Sequence, residues 1–169
     1  MRLLFEMDKK DYDQCTHVFK RDSARSIIIR DGRVAMVYSV KFDHYKFPGG
    51  GIENKEDPIE AMIRETREEA GLEVIPDSIK EYGFVHRIEK SEYDPTECFV
   101  QDNYYYLCEV MDNLSEQQLD DYEKEESYTL EYVEALAAIR KNRQADKAHP
   151  LMLEREAKVL EMLMAEGLL

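Results

Sequence analysis

The chain has 169 residues, 43% of them hydrophobic, and carries 37 acidic against 23 basic side chains, for a formal charge of -14. That length suits one domain with a sizeable core and argues against a second independent one. The acidity excludes a general binder of nucleic-acid polymers, which needs a basic face to displace counterions, but not a nucleotide whose charge a divalent ion neutralises.

The N-terminal stretch MRLLFEMDKKDYD has only a short apolar run and no small-residue cleavage site. No later segment approaches the roughly 20 apolar residues of a membrane span, so a cytoplasmic protein without membrane contact is expected. The β-branched runs flanking Asp31-Gly32 predict a hairpin of strands over Ala24 to Arg30 and Arg33 to Ser39. After a turn through Gly49, Gly50 and Gly51, a helix is predicted from Pro58 to Ala70, with Asp57 as N-cap, Glu60 three residues on and Gly71 as its stop.

LEVIP, KEYGFVHRIEK and DNYYYLCEV (Asp102 to Val110) read as strands on their aromatic and β-branched content. The charged segment DNLSEQQLDDYEKEES is a connection with room for a helical turn; YTLEYV is a short alternating strand, and EALAAIRKN a helix. Beyond the loop RQADKAH, Pro150 opens a last helix, about residues 150–166, whose Leu153, Val159, Leu160, Leu163 and Met164 are expected to pack on the domain. This order is an α+β arrangement, helices covering a mixed sheet. Cys15, Cys98 and Cys108 are odd in number and include no Cys-x-x-Cys pair, and His17, His44, His86 and His149 never fall at metal-ligand spacing. Neither G-x-G-x-x-G nor a Walker sequence is present.

The helix from Pro58 has two faces. At 100° per residue Ile59, Met62, Ile63, Thr66 and Ala70 fall within about 100° of arc, a core-facing stripe. Glu65, Glu68 and Glu69 fill a second arc rotated by roughly 120°. Glu60 with Arg64 is an ordinary i,i+4 pair, whereas Glu65 with Glu69 sets like charges together at a cost of a few tenths of a kcal/mol. Three carboxylates on one arc without matching cations suit either a solvated face or a hard divalent ion, Mg²⁺ or Mn²⁺, that keeps waters for exchange with phosphate oxygens.

Gly50, five residues, Glu56, seven residues, then Arg64-Glu65-Thr66-Arg67-Glu68-Glu69-Ala70-Gly71-Leu72 resembles the complete signature of the Nudix hydrolases. Thr66 departs from it, standing where an aliphatic residue is usual. With KFPGG before it and the flanking strand order, the likeness covers about residues 23–139 of what is expected to be a single domain over 1–169. The resemblance implies an α/β/α sandwich and a Mg²⁺-dependent hydrolase that cleaves the pyrophosphate of a nucleoside diphosphate linked to another group. It implies Glu65, Glu68 and Glu69 as catalytic carboxylates and metal ligands, with the Gly49 carbonyl as a further ligand. Gly50, Glu56, Arg64 and Gly71 are implied as structural, Arg64 pairing with an acidic neighbour. Family members also draw an acid from the late loop; Glu123 and Glu126 are the candidates, although each read alone is a solvated surface residue.

For the substrate, Arg25 and Arg87 lie on predicted strands and either meet phosphate or make cross-strand ion pairs. Phe47 and the run Tyr104 to Tyr106 either offer a ring for base stacking or pack in the core. Tyr82 to Lys90 lacks the proline of the ADP-ribose branch, and the coenzyme A branch's upstream motif is missing. Nucleoside triphosphates, including oxidised ones such as 8-oxo-dGTP, therefore lead, with nucleotide sugars, dinucleoside polyphosphates and a non-catalytic nucleotide-binding regulatory domain as alternatives. A homodimer through the N-terminal segment or the last helix is the candidate assembly.

Overall fold

A computed structural model of the chain describes residues 1–53, 55–144 and 150–169; most of the predicted loop before Pro150 lies outside them. Twelve strands are formed: β1 (Leu3–Asp8), β2 (His17–Lys20), β3 (Ser23–Ile27), β4 (Ile29–Arg30), β5 (Arg33–Ser39), β6 (His44–Lys46), β7 (Gly49–Gly51), β8 (Leu72–Val74), β9 (Lys80–Lys90), β10 (Glu97–Leu107), β11 (Val110–Leu114) and β12 (Tyr128–Val133). The helices are α1 (Pro58–Ala70), α2 (Asp121–Glu126), α3 (Ala135–Gln144) and α4 (Pro150–Ala165). The largest sheet runs β1-β9-β10-β3-β7 with β2 also on β10; a second runs β12-β5-β4 with β6 on β5, and β8 pairs with β11. Among the described residues no helix is long and apolar enough to cross a membrane.

Alternation along the strands divides the core in two. Ile27, Val34, Met36 and Tyr105 pack with Ala138, Ile139, Leu160 and Leu163 of α3 and α4. Ala24, Ala35, Val37 and Tyr106 pack with Ala61, Met62 and Ala70 of α1. Because successive side chains point to opposite faces, a strand covered on both sides has no solvent-exposed face, and all five residues of β3 are buried. The result is the expected α+β layering, helices on either side of mixed sheet.

The hairpin turn is as predicted: Asp31 and Gly32 have φ of 52° and 70°, the pair of positive angles that a two-residue turn between right-twisted strands requires. The first predicted strand, however, is broken at Ile28. Its carbonyl accepts from Ala35 N at 2.9 Å, and the chain passes there from the large sheet to the second one. DNYYYLCEV also divides, since β10 starts earlier, at Glu97, and Val110 opens β11. Two strands come from N-terminal residues with no expected structure: β1 adds parallel to β9, and β2 parallel to β10.

The three glycines form a strand rather than a flexible turn, antiparallel to β3, with Ser23 opposite Gly51 and Arg25 opposite Gly49. Glycine disfavours strands; here close approach requires it. Gly49 has φ of 142°, and a Cβ on it would run into the Ala24 carbonyl.

α1 has its predicted bounds. Asp57 accepts from Ile59 N at 2.8 Å and Glu60 completes a capping box. Its buried face is turned from the expected one: Ile59 is 36% exposed, whereas Ala61, Met62, Thr66, Glu69 and Ala70 are buried. Thr66, the departure from the family pattern, is tolerated there because its hydroxyl donates to Ser26 Oγ at 2.9 Å. In α4 the expected Leu153, Val159, Leu160 and Leu163 are buried, and Met164 packs beside them.

Gly71 ends α1 with φ of 66°, its N–H donating to Arg67 O at 2.9 Å, and a Cβ there would run into the Ser115 carbonyl. Gly71→Ala should therefore cost roughly 1–3 kcal/mol from backbone conformation alone, with the clash added. Urea unfolding measures the loss, and a change under about 0.5 kcal/mol would show that the turn does not need this conformation.

Candidate active site

Arg64 is the centre of the carboxylate cluster on α1. Its Nε and Nη2 each donate to Glu56 at 2.9 Å, Nη1 donates to Glu65 Oε1 at 2.8 Å and Glu68 Oε2 at 3.0 Å, and Nη2 reaches Gly51 O at 3.3 Å. A planar guanidinium can serve such a set because its five donors diverge in a fixed fork. It ties the segment before α1 to the helix and holds Glu56 below the usual carboxylate range. Burial pushes the Glu65 carboxyl up, against the pull of Arg64. Gly50 lies beside Glu65, and a Cβ at that position would run into the carboxylate.

Glu69 stands apart from the other two. It is 1% exposed, its Oε1 is paired with Lys46 of β6, and its Oε2 accepts from Gly49 N at 2.9 Å. Burial pushes its carboxyl up to about 7, Lys46 and the Gly49 amide acting in the other direction. The Gly49 carbonyl accepts from Arg25 Nη1 at 3.0 Å.

Glu65 and Glu68 line a cleft of about 960 Å³ that also takes in Glu56, Gly50, Tyr104 and Glu123. Among the described residues no three His, Cys, Asp or Glu side chains converge closely enough to hold an ion as they stand. The donor chemistry nonetheless fits a hard divalent cation: the available atoms are carboxylate oxygens, two of them on acids that burial disfavours as anions, and the Glu68 side chain keeps 35% of its surface in water. Glu65 and Glu68 thus border the cleft and share Arg64, while Glu69 does not line the cleft and is paired with Lys46 in the interior.

The substrate candidates fare differently. Phe47 is fully buried, its ring edge-on to Tyr105 with centroids 5.6 Å apart, so it is core and offers no face to a base. Tyr105 and Tyr106 are also buried, and only Tyr104 of that run reaches the cleft. Arg25 is 7% exposed and brackets the backbone through Phe47 O and Gly49 O. Among the described residues Arg87 makes no cross-strand ion pair: its partner is Glu89, two residues along the same strand, and its guanidinium lies over the Phe99 ring. Both arginines line a second pocket of about 350 Å³.

Glu123 and Glu126 are not solvated but 4% and 9% exposed. Glu123 faces the cleft and accepts from Asp120 N and Tyr122 Oη, both at 2.8 Å; Glu126 accepts from Ser39 Oγ at 2.9 Å and borders the second pocket. Sequence reasoning missed Lys46, Tyr122, Arg155 and Glu156. Glu156 accepts from Phe47 N at 2.7 Å and Tyr105 Oη at 3.1 Å, and pairs with Arg155 at 2.8 Å. The available signal was its position three residues after Leu153 and four before Leu160, an acid inside an apolar stripe.

The family model for the NUDIX domain matches residues 20–154. The RNA pyrophosphohydrolase of Xylella fastidiosa (strain 9a5c) is 30% identical over 112 residues, 59% of this chain and 56% of that protein. That of Xanthomonas oryzae pv. oryzae (strain MAFF 311018) is 43% identical over 54 residues, 32% of this chain and 25% of that protein. The chain therefore spans about half the length of the first relative. Among solved structures, a NUDIX hydrolase from Nitrosomonas europaea superimposes with a TM-score of 0.62 at 16% identity, covering 88% of this chain and 90% of that one. A MutT structure, from a study of the Aliivibrio salmonicida and Vibrio cholerae proteins, gives 0.55 at 16% identity over 88% and 99%. At such identity the structures establish a common fold.

The raised carboxyl of Glu69 has a measurable consequence. In metal-free buffer the folded state binds its proton more tightly than the unfolded chain, whose glutamates titrate near 4.5. The stability it contributes is complete below about pH 4.5 and is lost as pH rises to about 7. Glu69→Gln, which cannot ionise, should gain stability relative to the wild type across that window. Parallel thermal melts with chelator present check this; a constant difference between the two proteins would show that Glu69 is ionised throughout.

Proposed function

This chain belongs to the NUDIX family, and on that premise we propose that it is a divalent-metal-dependent pyrophosphohydrolase acting on a nucleoside triphosphate, oxidised forms included. The observation that carries the proposal is the intact set Glu56, Arg64, Glu65, Glu68 and Glu69, with Arg64 joining the three carboxylates Glu56, Glu65 and Glu68 at the wall of an open cleft. The whole chain is taken as one such domain. Glu65, Glu68, Glu69 and the Gly49 carbonyl would hold Mg²⁺ or Mn²⁺. When bound, the ion neutralises charge on the phosphate oxygens and acidifies a water.

The chain's own groups supply the positioning. Hydrolysis adds water to one phosphorus and breaks its bond to the bridging oxygen; one carboxylate of the set accepts the water's proton, and the products leave as two phosphate species. Arg64 keeps Glu65 and Glu68 turned toward the cleft, and Lys46 holds Glu69 against the β7 backbone. Glu123 is the nearest candidate for the acid drawn from the late loop, since it reaches the same cleft. Arg25 and Arg87 contribute to substrate binding from the second pocket.

The names of the sequence relatives favour a second reading, in which the triphosphate is the 5′ end of an RNA. A charge of -14 permits few phosphate contacts, so such a substrate would be gripped at its end alone. Nucleotide sugars and dinucleoside polyphosphates remain as further comparisons. Incubation with Mg²⁺ and a panel of these compounds, including a 5′-triphosphorylated RNA oligonucleotide, tests the proposal through the identity of the released products. No product from any of them at micromolar enzyme would sink it.

Glu68→Gln is expected to lower kcat/KM at least about 100-fold, or roughly 3 kcal/mol of transition-state stabilisation. It should also shrink the rise in melting temperature that Mg²⁺ gives the wild type. A variant with normal turnover and normal Mg²⁺ stabilisation would remove Glu68 from the site.

A further inference from the structure

Two cavities with opposite linings meet at Tyr122, which borders both. The larger cleft is bordered by seven carboxylates and three cations. The smaller pocket is bordered by five cations, Lys9, Arg25, Lys46, Arg87 and Arg155, with two acids, the exposed Glu92 and the buried Glu126. The counterions of these cations stand outside the lining and are shared. Glu89 serves both Lys9 and Arg87, and Glu156 serves both Arg155 and Arg25, the latter at 4.0 Å. Glu126 is held by Ser39.

Hydrogen-bonding capacity is left over as well. The Nε–H groups of Arg25 and Arg87 are buried without an acceptor among the described residues, a condition that normally costs about 1–3 kcal/mol. Gln101, directly across the ladder from Arg87, also borders the pocket. The pocket also adjoins the carboxylate set, because its Lys46 is the partner of Glu69. An anion with a bound metal at one end suits the acidic cleft; an anion without one suits the cationic pocket.

We propose that the smaller pocket receives a phosphate group of the substrate lying beyond the pyrophosphate bond that is cleaved. The inference rests on the pyrophosphohydrolase reading and narrows it: the substrate is a nucleotide with at least one more phosphate than the reaction needs, not a nucleotide joined to an uncharged sugar. The shared chemistry is a terminal phosphate group, whether carried by a free nucleotide or by the 5′ end of an RNA.

Two measurements on the full chain test it. The first compares kcat/KM for a nucleoside triphosphate, a 5′-triphosphorylated dinucleotide and a nucleoside diphosphate hexose. The wild type should favour one of the triphosphates over the hexose at least about tenfold, the scale of one charge-assisted hydrogen bond. Arg87→Ala and, with its added negative charge, Gln101→Glu should each cut that preference about tenfold. The triphosphate preferred tells free nucleotide from RNA end. The second measurement is the melting temperature with chelator and millimolar inorganic phosphate: phosphate should raise it in the wild type and do so by less than half as much in either variant. A preference unchanged in both variants overturns the proposal. If the wild type hydrolyses nothing, the hydrolase reading fails on its own, and the phosphate-induced shift alone decides whether the pocket binds an anion.

Discussion

A carboxylate buried as deeply as Glu69 must be met by an opposite charge and by hydrogen-bond donors, or the folded state bears several kcal/mol of desolvation. Lys46 and the Gly49 amide meet it, and in doing so they fix three elements to one another. The helix α1 brings the acid, β6 the ammonium, and β7 the backbone amide. Removing any one leaves a charge or a donor stranded in the interior. The glycine strand can approach so near because no side chain intervenes between it and the backbone of β3 or the carboxylate of Glu65. The arrangement of the candidate site thus depends on one buried ion pair and on the absence of side chains at Gly49 and Gly50.

A second buried network supports the same backbone from the other face of the sheet. Glu156 of α4 accepts from the Phe47 amide and is shared by Arg155 and Arg25, while Arg25 returns donors to the carbonyls of Phe47 and Gly49. Burial raises the Glu156 carboxyl, and the two arginines more than reverse the effect, holding it below the ordinary glutamate value. The contrast with Glu69 is instructive. Two guanidiniums around Glu156 more than offset its burial, whereas one ammonium beside Glu69 does not.

The charge pattern follows from these pairings. A chain with so large an acidic surplus repels anions in general, and it accepts an anionic substrate only where cations are concentrated or a metal is held. The cleft bordered mostly by carboxylates and the pocket bordered mostly by cations lie on either side of Tyr122. Tyr122 is itself positioned by the edge of the Tyr128 ring and by its bond to Glu123, so the late polar segment, which resembles a simple connection, forms the boundary between them.

The sequence by itself determined the helix from Pro58 to Ala70, the Asp31-Gly32 hairpin, and the spacing of Glu56, Arg64, Glu65, Glu68 and Glu69. Caps, tight turns and helical spacing depend on residues within a few positions of one another, so they are written locally. Only the tertiary structure decided that Phe47 belongs to the core, that Arg25 braces backbone, that Glu123 and Glu126 are buried, and that the glycines form a strand. It also decided that Glu69 leaves the exposed arc of α1 for the interior. Burial of a side chain is set by what packs over it, here β6, β7 and α4, which are separated from α1 along the chain and come together only when the sheet is covered on both faces.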